Sequence, residues 1–141
     1  MTNPTPTIAL VSLRLITDDL DRLTEFYEKV TGVPVQRLTS DFAELATPSG
    51  TLAIGSTRTV ALFGAGSAVP AANRTAIIEF LVDDVDADFD RIRHLSGEIE
   101  VVTAPTTMPW GNRSLLFRDP DGTLVNFFTP MTPEAKAKFG R

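Results

Sequence analysis

The chain has no cysteine in its 141 residues. That excludes disulfide bonds, thiolate metal centres and a cysteine nucleophile. It has one histidine, His94. Multi-histidine metal sites are therefore excluded, and a Ser-His-Asp relay would have to use that single imidazole. No Gly-x-Ser-x-Gly elbow presents a serine for it. His94 falls near the end of the second helix expected below, where positive charge is comfortable, and it reads as a cap-adjacent residue. No apolar run reaches the roughly 18 residues of a membrane span. No basic run is present, and the net charge of −5 disfavours a nucleic-acid backbone or an anionic membrane as the main partner. Met1 to Thr7 is polar and lacks a basic stretch followed by an apolar one, so the expectation is a cytoplasmic protein.

Hydrophobic content of 43% with 22% charged residues is ordinary globular usage, so the whole chain is expected to fold. Its length suits one domain over residues 1–141. The organising stretch is Phe117-Arg118-Asp119-Pro120-Asp121-Gly122-Thr123-Leu124-Val125-Asn126-Phe127-Phe128. Asp-Pro-Asp-Gly is turn chemistry, because Pro120 presets φ and Gly122 accepts φ > 0. Its flanks are β-prone. Thr47-Pro48-Ser49-Gly50-Thr51-Leu52-Ala53-Ile54 echoes it at an offset of 120 − 48 = 72. Thr17-Asp18-Asp19-Leu20-Asp21 is likewise echoed by Val82-Asp83-Asp84-Val85-Asp86, offset 84 − 19 = 65, and the same offset carries Gly32 onto Gly97. Helix starts, helix ends and hairpins recur in one order, which is the signature of an internal repeat.

Each copy reads strand, helix, then three strands. The expected fold is α+β: two β-α-β-β-β modules forming a half-open curved sheet, a cup, with helices on the outer face. Module one spans about residues 8–63, a Gly/Ala/Ser/Pro-rich linker about 64–74, module two about 75–130, and a C-terminal tail 131–141. In module one the strand Ile8 to Ile16 precedes a helix capped by Asp18 or Asp19 and ended by Gly32. Leu20, Leu23, Phe26, Tyr27 and Val30 form its apolar stripe. Val35–Leu38, Phe42–Ala46 and Leu52–Ser56 are expected strands, and Val60–Phe63 an extension of the sheet. In module two the expected elements are a strand Thr75–Val82, a helix from about Asp84 to Leu95, and strands near Ile99–Val102, Ser114–Phe117 and Leu124–Phe128. Extra chain between about Thr103 and Arg113 is expected as a loop, and Pro133–Phe139 as a short helix. One helix covers only one face of each sheet, so the other face must meet the other copy, another subunit or a ligand.

The two copies, the helix pattern Leu20, Leu23, Phe26, Tyr27, Gly32, and Pro109-Trp110-Gly111 ahead of Phe117-x-Asp119-Pro120-Asp121-Gly122 resemble the vicinal oxygen chelate superfamily. That group holds glyoxalase I, bleomycin-resistance proteins and extradiol dioxygenases, and the resemblance runs from about Ile8 to Pro130. It implies a cup whose metal-dependent members place four ligands on the first and last strands of the modules. The first-strand ligand usually lies seven residues before the helix-starting Asp, and the last-strand ligand four after the hairpin Gly. Carried onto this chain, those positions are Ser12, Ile77, Asn126 and Ile54. Two isoleucines offer no lone pair, and serine and asparagine are weak neutral donors. The expectation is no metal and no other cofactor, which removes the Lewis-acid chemistry of the metal-dependent members.

Asp84, Asp86 and Asp88 mimic the start of a calcium loop, but Phe89 and Leu95 stand where its Gly and Glu belong. Gly64-Ala65-Gly66 lacks the third Gly and the helix of a dinucleotide loop. Arg14 and Glu79 lie two residues after Ser12 and Ile77, so all four should share the cup face. They could meet as an ion pair, or anchor a ligand, with Glu79 as base or cation binder. Trp110 could overhang the cup and stack on a planar ligand.

The leading expectation is a metal-independent small-molecule binding or sequestering protein of the bleomycin-resistance type, acting as a homodimer. Its ligand-binding residues would be Ser12, Arg14, Ile54, Ile77, Glu79, Trp110 and Asn126. The ligand would be apolar or aromatic, with a cationic group weakly favoured by the acidic charge. The alternative is a metal-free lyase, isomerase or cyclase of the same fold with Glu79 as general base.

Overall fold

The structure is a computed structural model that describes residues 4–95, 97 and 99–141. Met1, Thr2 and Asn3 of the polar start, with Ser96 and Glu98 after the second helix, lie outside the described residues. In chain order the elements are β1 (Ser12–Thr17), α1 (Leu20–Thr31), β2 (Gln36–Thr39), β3 (Phe42–Thr47), β4 (Gly50–Ser56), α2 (Thr57–Val60), β5 (Ile77–Leu81), α3 (Val85–Ile92), β6 (Glu100–Thr107), β7 (Asn112–Arg118), β8 (Leu124–Pro130) and α4 (Pro133–Lys138). They build two four-stranded sheets, ordered β1-β4-β3-β2 and β5-β8-β7-β6. In each, the first strand pairs in parallel with the last and the remaining pairs are antiparallel. The sheets are open, and the fold is α+β with a repeated β-α-β-β-β unit. No helix among the described residues is long and apolar enough to cross a membrane.

The helix starts follow from their caps. The Asp19 carboxylate accepts from Arg22 N at 3.1 Å, and Asp84 accepts from Ala87 N at 3.1 Å. Each satisfies a backbone N–H that the first turn leaves unpaired. Gly32 ends α1 at φ 72°, and its N–H bonds Glu28 O. Leu20, Leu23, Tyr27 and Val30 of α1 are buried. They join Ile54 and Leu45 of sheet one, Phe117, Val125 and Phe127 of sheet two, and Val85 and Ile92 of α3 in one core. Phe26 of α1 packs on Phe117 of β7 with ring centroids 6.1 Å apart, and Arg91 of α3 donates to the Lys29 and Val30 carbonyls that end α1. The modules are therefore joined through their helix-bearing faces.

Four expectations are corrected. The first strand begins at Ser12, although Val11 O still accepts from Thr51 N at 3.0 Å. Val60–Phe63 does not extend the sheet: α2 starts after extended Ser56, and Phe63 N bonds Val60 O in the following turn. The extra chain of module two lengthens β6 and β7 into a long hairpin rather than a loop. α3 stops at Ile92, short of Leu95.

Candidate functional site

The pleat fixes which side chains face away from α1 and α3. Leu15, Ile54, Ile78, Val125 and Phe127 point into the core. Their strand neighbours must then face the opposite side, here called the open face. In module one it carries the register pairs Ser12 with Thr51, Arg14 with Ala53 and Ile16 with Gly55. In module two it carries Ile77 with Leu124, Glu79 with Asn126 and Leu81 with Phe128.

Ile54 is therefore corrected. It is fully buried in the core, and Ala53 is the residue that occupies the place of Asn126. The reason is turn length. In module one Thr47 pairs with Gly50 around a two-residue turn, whereas in module two Arg118 pairs with Leu124 across five loop residues. Gly50 and Gly122 are thus not equivalent, and a one-residue slip moves a strand residue to the other face.

Glu79 and Asn126 are brought together. Asn126 Nδ2 donates to Glu79 Oε2 at 2.9 Å. An ionised carboxylate only accepts, so this bond fixes which end of the amide faces it. Asn126 is 9% exposed, and its Oδ1 is buried with no hydrogen-bond partner. An orphaned acceptor of this kind costs about 1–3 kcal/mol unless a donor reaches it. Around it stand Leu124, Leu116 and Phe128, and Ile77 lies one register pair away.

Arg14 has a different environment. Its guanidinium lies 4.6 Å from the Phe42 ring centroid and 5.2 Å from that of Phe63. Aromatic faces hold it by cation–π attraction. Among the described residues no ion pair joins it to Glu79. Arg14 also lines a cavity of about 140 Å³ with Leu15, Leu23, Val69 and Asp121. Ser12 is exposed on β1. Trp110 is 66% exposed in the β6–β7 turn, where Gly111 N bonds Met108 O. Asn112, two residues on, pairs with Pro130, four residues beyond Asn126, so Trp110 is roughly 13 Å or more along the sheet from the Glu79–Asn126 pair.

Three features were missed. Tyr27 OH donates to Asp119 Oδ2 at 2.7 Å inside the core. Asp119 Oδ1 accepts from Asp121 N and Thr123 N. Burial pushes the Asp119 carboxyl above the usual range, against the pull of these hydrogen bonds. Burial, and then the Asp119 charge, pushes the Tyr27 phenol well up. The Asp-Pro-Asp-Gly motif announced a turn, but not that its first carboxylate anchors module two to α1. In module one, Asp41 sits in the open: hydrogen bonds from Arg58 and then Ser56 hold its carboxyl low. The third is the docking of α4: the short helix was expected, but not its place against the open face of module two, with the Phe139 ring 5.1 Å from that of Phe128.

The four corners of the open faces are Ser12, Ala53, Ile77 and Asn126. This donor set does not fit a divalent transition metal, which takes imidazole, carboxylate or thiolate at several positions. Among the described residues no three His, Asp or Glu side chains converge as a metal site.

A family model described as the Glyoxalase/Bleomycin resistance protein/Dioxygenase superfamily matches residues 9–127. A search of curated proteins found no match. Among solved structures, a glyoxalase/bleomycin resistance protein/dioxygenase from Nocardioides is 25% identical, with 94% of this chain and 88% of that chain covered and a TM-score of 0.70. TioX from Micromonospora sp. ML1 is also 25% identical, covering 86% of this chain and 98% of its own, with a TM-score of 0.65. A family enzyme from Burkholderia phytofirmans PsJN shares the fold at a TM-score of 0.75, with 16% identity over 88% of this chain and 100% of that chain.

Proposed function

The chain belongs to the glyoxalase/bleomycin resistance protein/dioxygenase superfamily, and on that premise we propose that it is a metal-independent small-molecule binding protein of the bleomycin-resistance kind. The observation that carries this reading is the Glu79–Asn126 pair, with a buried, unpartnered acceptor on a mostly apolar strand face. Such a surface orients a ligand by few polar contacts and desolvates the rest. Glu79 and Asn126 fix a donor of the ligand, Arg14 offers a separate cationic contact, and Ile77 and Ser12 shape the floor. Ile54 acts only from the core beneath, and Trp110 only at the rim. The chemistry of the four corners supports binding without a metal.

We further propose a homodimer. What supports it is the exposure of apolar side chains before and along β1: Ile8 and Leu10 are over 90% exposed, and Val11 and Leu13 are also exposed.

The second reading is a metal-free lyase, isomerase or cyclase. What favours it is a carboxylate, Glu79, held in place on the open face by Asn126. Glu79→Gln separates the two. Under the binding reading a neutral or aromatic ligand is returned unchanged, and the variant weakens its affinity. Under the enzyme reading the ligand is consumed, and the variant abolishes turnover while sparing affinity. Loss of all ligand response in Asn126→Leu supports the site itself; an unaltered response there rejects it.

A further inference from the structure

Both modules end in a short helix that turns back onto the open face. In module one a Cβ added at open-face Gly55 would come within 2.7 Å of Thr59 Oγ1 of α2, and Phe63 beyond it reaches Arg14. In module two α4 does the same with Phe139 on Phe128. Phe128 is two residues from Asn126 on one strand face, roughly 6.7 Å along the strand. Phe139 therefore stacks one strand repeat from the unpartnered Asn126 Oδ1.

The first two residues of the segment 131–141 are tied to the β6–β7 turn, Met131 N and Thr132 N both bonding Gly111 O, at 2.8 and 3.4 Å, and the segment is lightly held only beyond them. Thr132 caps α4 through Ala135 N at 3.2 Å, Ala135 is buried, and Arg141 pairs with Asp83 at 2.8 Å. That pair is exposed on both sides, with side-chain exposures of 51% and 90%, and an exposed pair restrains little. Met131, at the start of the segment, is half exposed. From Pro133 to Arg141 only Ala135 is buried, and a stretch with so few buried side chains opens at low cost.

We infer that residues 133–141 are a strap occupying the ligand's place on module two, and that the ligand it yields to is an arylalkylamine. This rests on the reading of the open face as a binding surface. The ring of the ligand replaces Phe139 on Phe128. Its protonated amine donates to Asn126 Oδ1 and to Glu79, two acceptors that no donor on the face satisfies together. A carboxylate in the same place would meet Glu79 and be repelled. Because the strap must leave first, apparent affinity is the intrinsic affinity reduced by the open fraction.

The test is NMR of the full chain titrated with 2-phenylethylamine, with 3-phenylpropionate as the acidic counterpart. The amine should shift the Asn126 side-chain amide and release Phe139 from Phe128, and the acid should do neither. Phe139→Ala should bind the amine roughly tenfold more tightly, the worth of one aromatic pair. Arg141→Ala, which leaves the ring contact in place, should move affinity in the same direction by less. Unchanged affinity in both variants, with Asn126 still shifting, overturns the strap and leaves the binding face standing. No shift at Asn126 in wild type or in either variant overturns the amine assignment; if hydrogen exchange at 135–138 still rises in Phe139→Ala, the binding reading has failed and the strap contact has not.

Discussion

Module one and module two share strand order and helix caps, yet their last hairpins differ by three loop residues, and that difference separates their roles. The tight turn at Pro48-Ser49 leaves module one with no inward carboxylate there. The longer turn of module two tucks Asp119 under Tyr27 and ties the two modules together. On the open faces the contrast is chemical: module one presents a guanidinium between two rings, and module two presents a carboxylate–amide pair with a spare acceptor. A duplicated backbone thus supplies two open faces of different polar chemistry.

The contrast can be broken at several points. The largest effect is expected from Ile54→Ala, a core cavity that should cost about 2–5 kcal/mol in urea unfolding. Ser12→Ala, at an exposed position on the open face, should stay within about 0.5 kcal/mol; equal losses would mean the faces are misassigned. Next comes Asp119→Ala, which strands the Tyr27 hydroxyl and two backbone N–H groups and should cost about 3 kcal/mol, with Tyr27→Phe costing about 1–2. The matching module-one change, Ser49→Ala, should stay within about 0.5 kcal/mol, since it removes no buried bond. A loss at Ser49 as large as at Asp119 would erase the distinction between the hairpins.

A smaller effect is expected in pH dependence, with opposite signs in the two modules. The folded Asp119 carboxyl titrates above its ordinary value of 3.8. The folded state therefore binds that proton more readily, and Asp119 favours folding below pH 3.8 and loses this advantage as pH rises through its folded value. Asp41 titrates below 3.8, so its contribution is present above pH 3.8 and is lost as pH falls through the folded value. Relative to Asp119→Asn, wild type should gain stability on acidification. Relative to Asp41→Asn it should lose it. The same sign from both comparisons would contradict the assignment of one buried and one exposed carboxylate. Arg14→Ala should cost about 0.5–1 kcal/mol, the worth of an exposed cation–π contact.

Much of this was legible in the chain itself. Asp19, Asp84 and Gly32 marked helix ends because capping is local chemistry, and the helix stripe Leu20, Leu23, Tyr27, Val30 declared its buried side. That Glu79 and Asn126 share a strand face followed from strand alternation and a resemblance of motifs. Ile54 was misplaced because Pro-x-Gly does not state how many residues a turn holds, and one residue reverses a strand face. The Tyr27–Asp119 bond spans 92 residues of sequence separation, which no local pattern reports. The place of Phe139 was not legible because its partner, Phe128, only becomes an open-face residue once the register of β8 is known.

The most direct test of the central claim is native mass spectrometry with metal analysis of protein purified without chelators. The account expects a dimer with substoichiometric metal, and a small-molecule adduct that Asn126→Leu loses. One transition-metal ion per chain, removed by a chelator together with ligand binding, would contradict it.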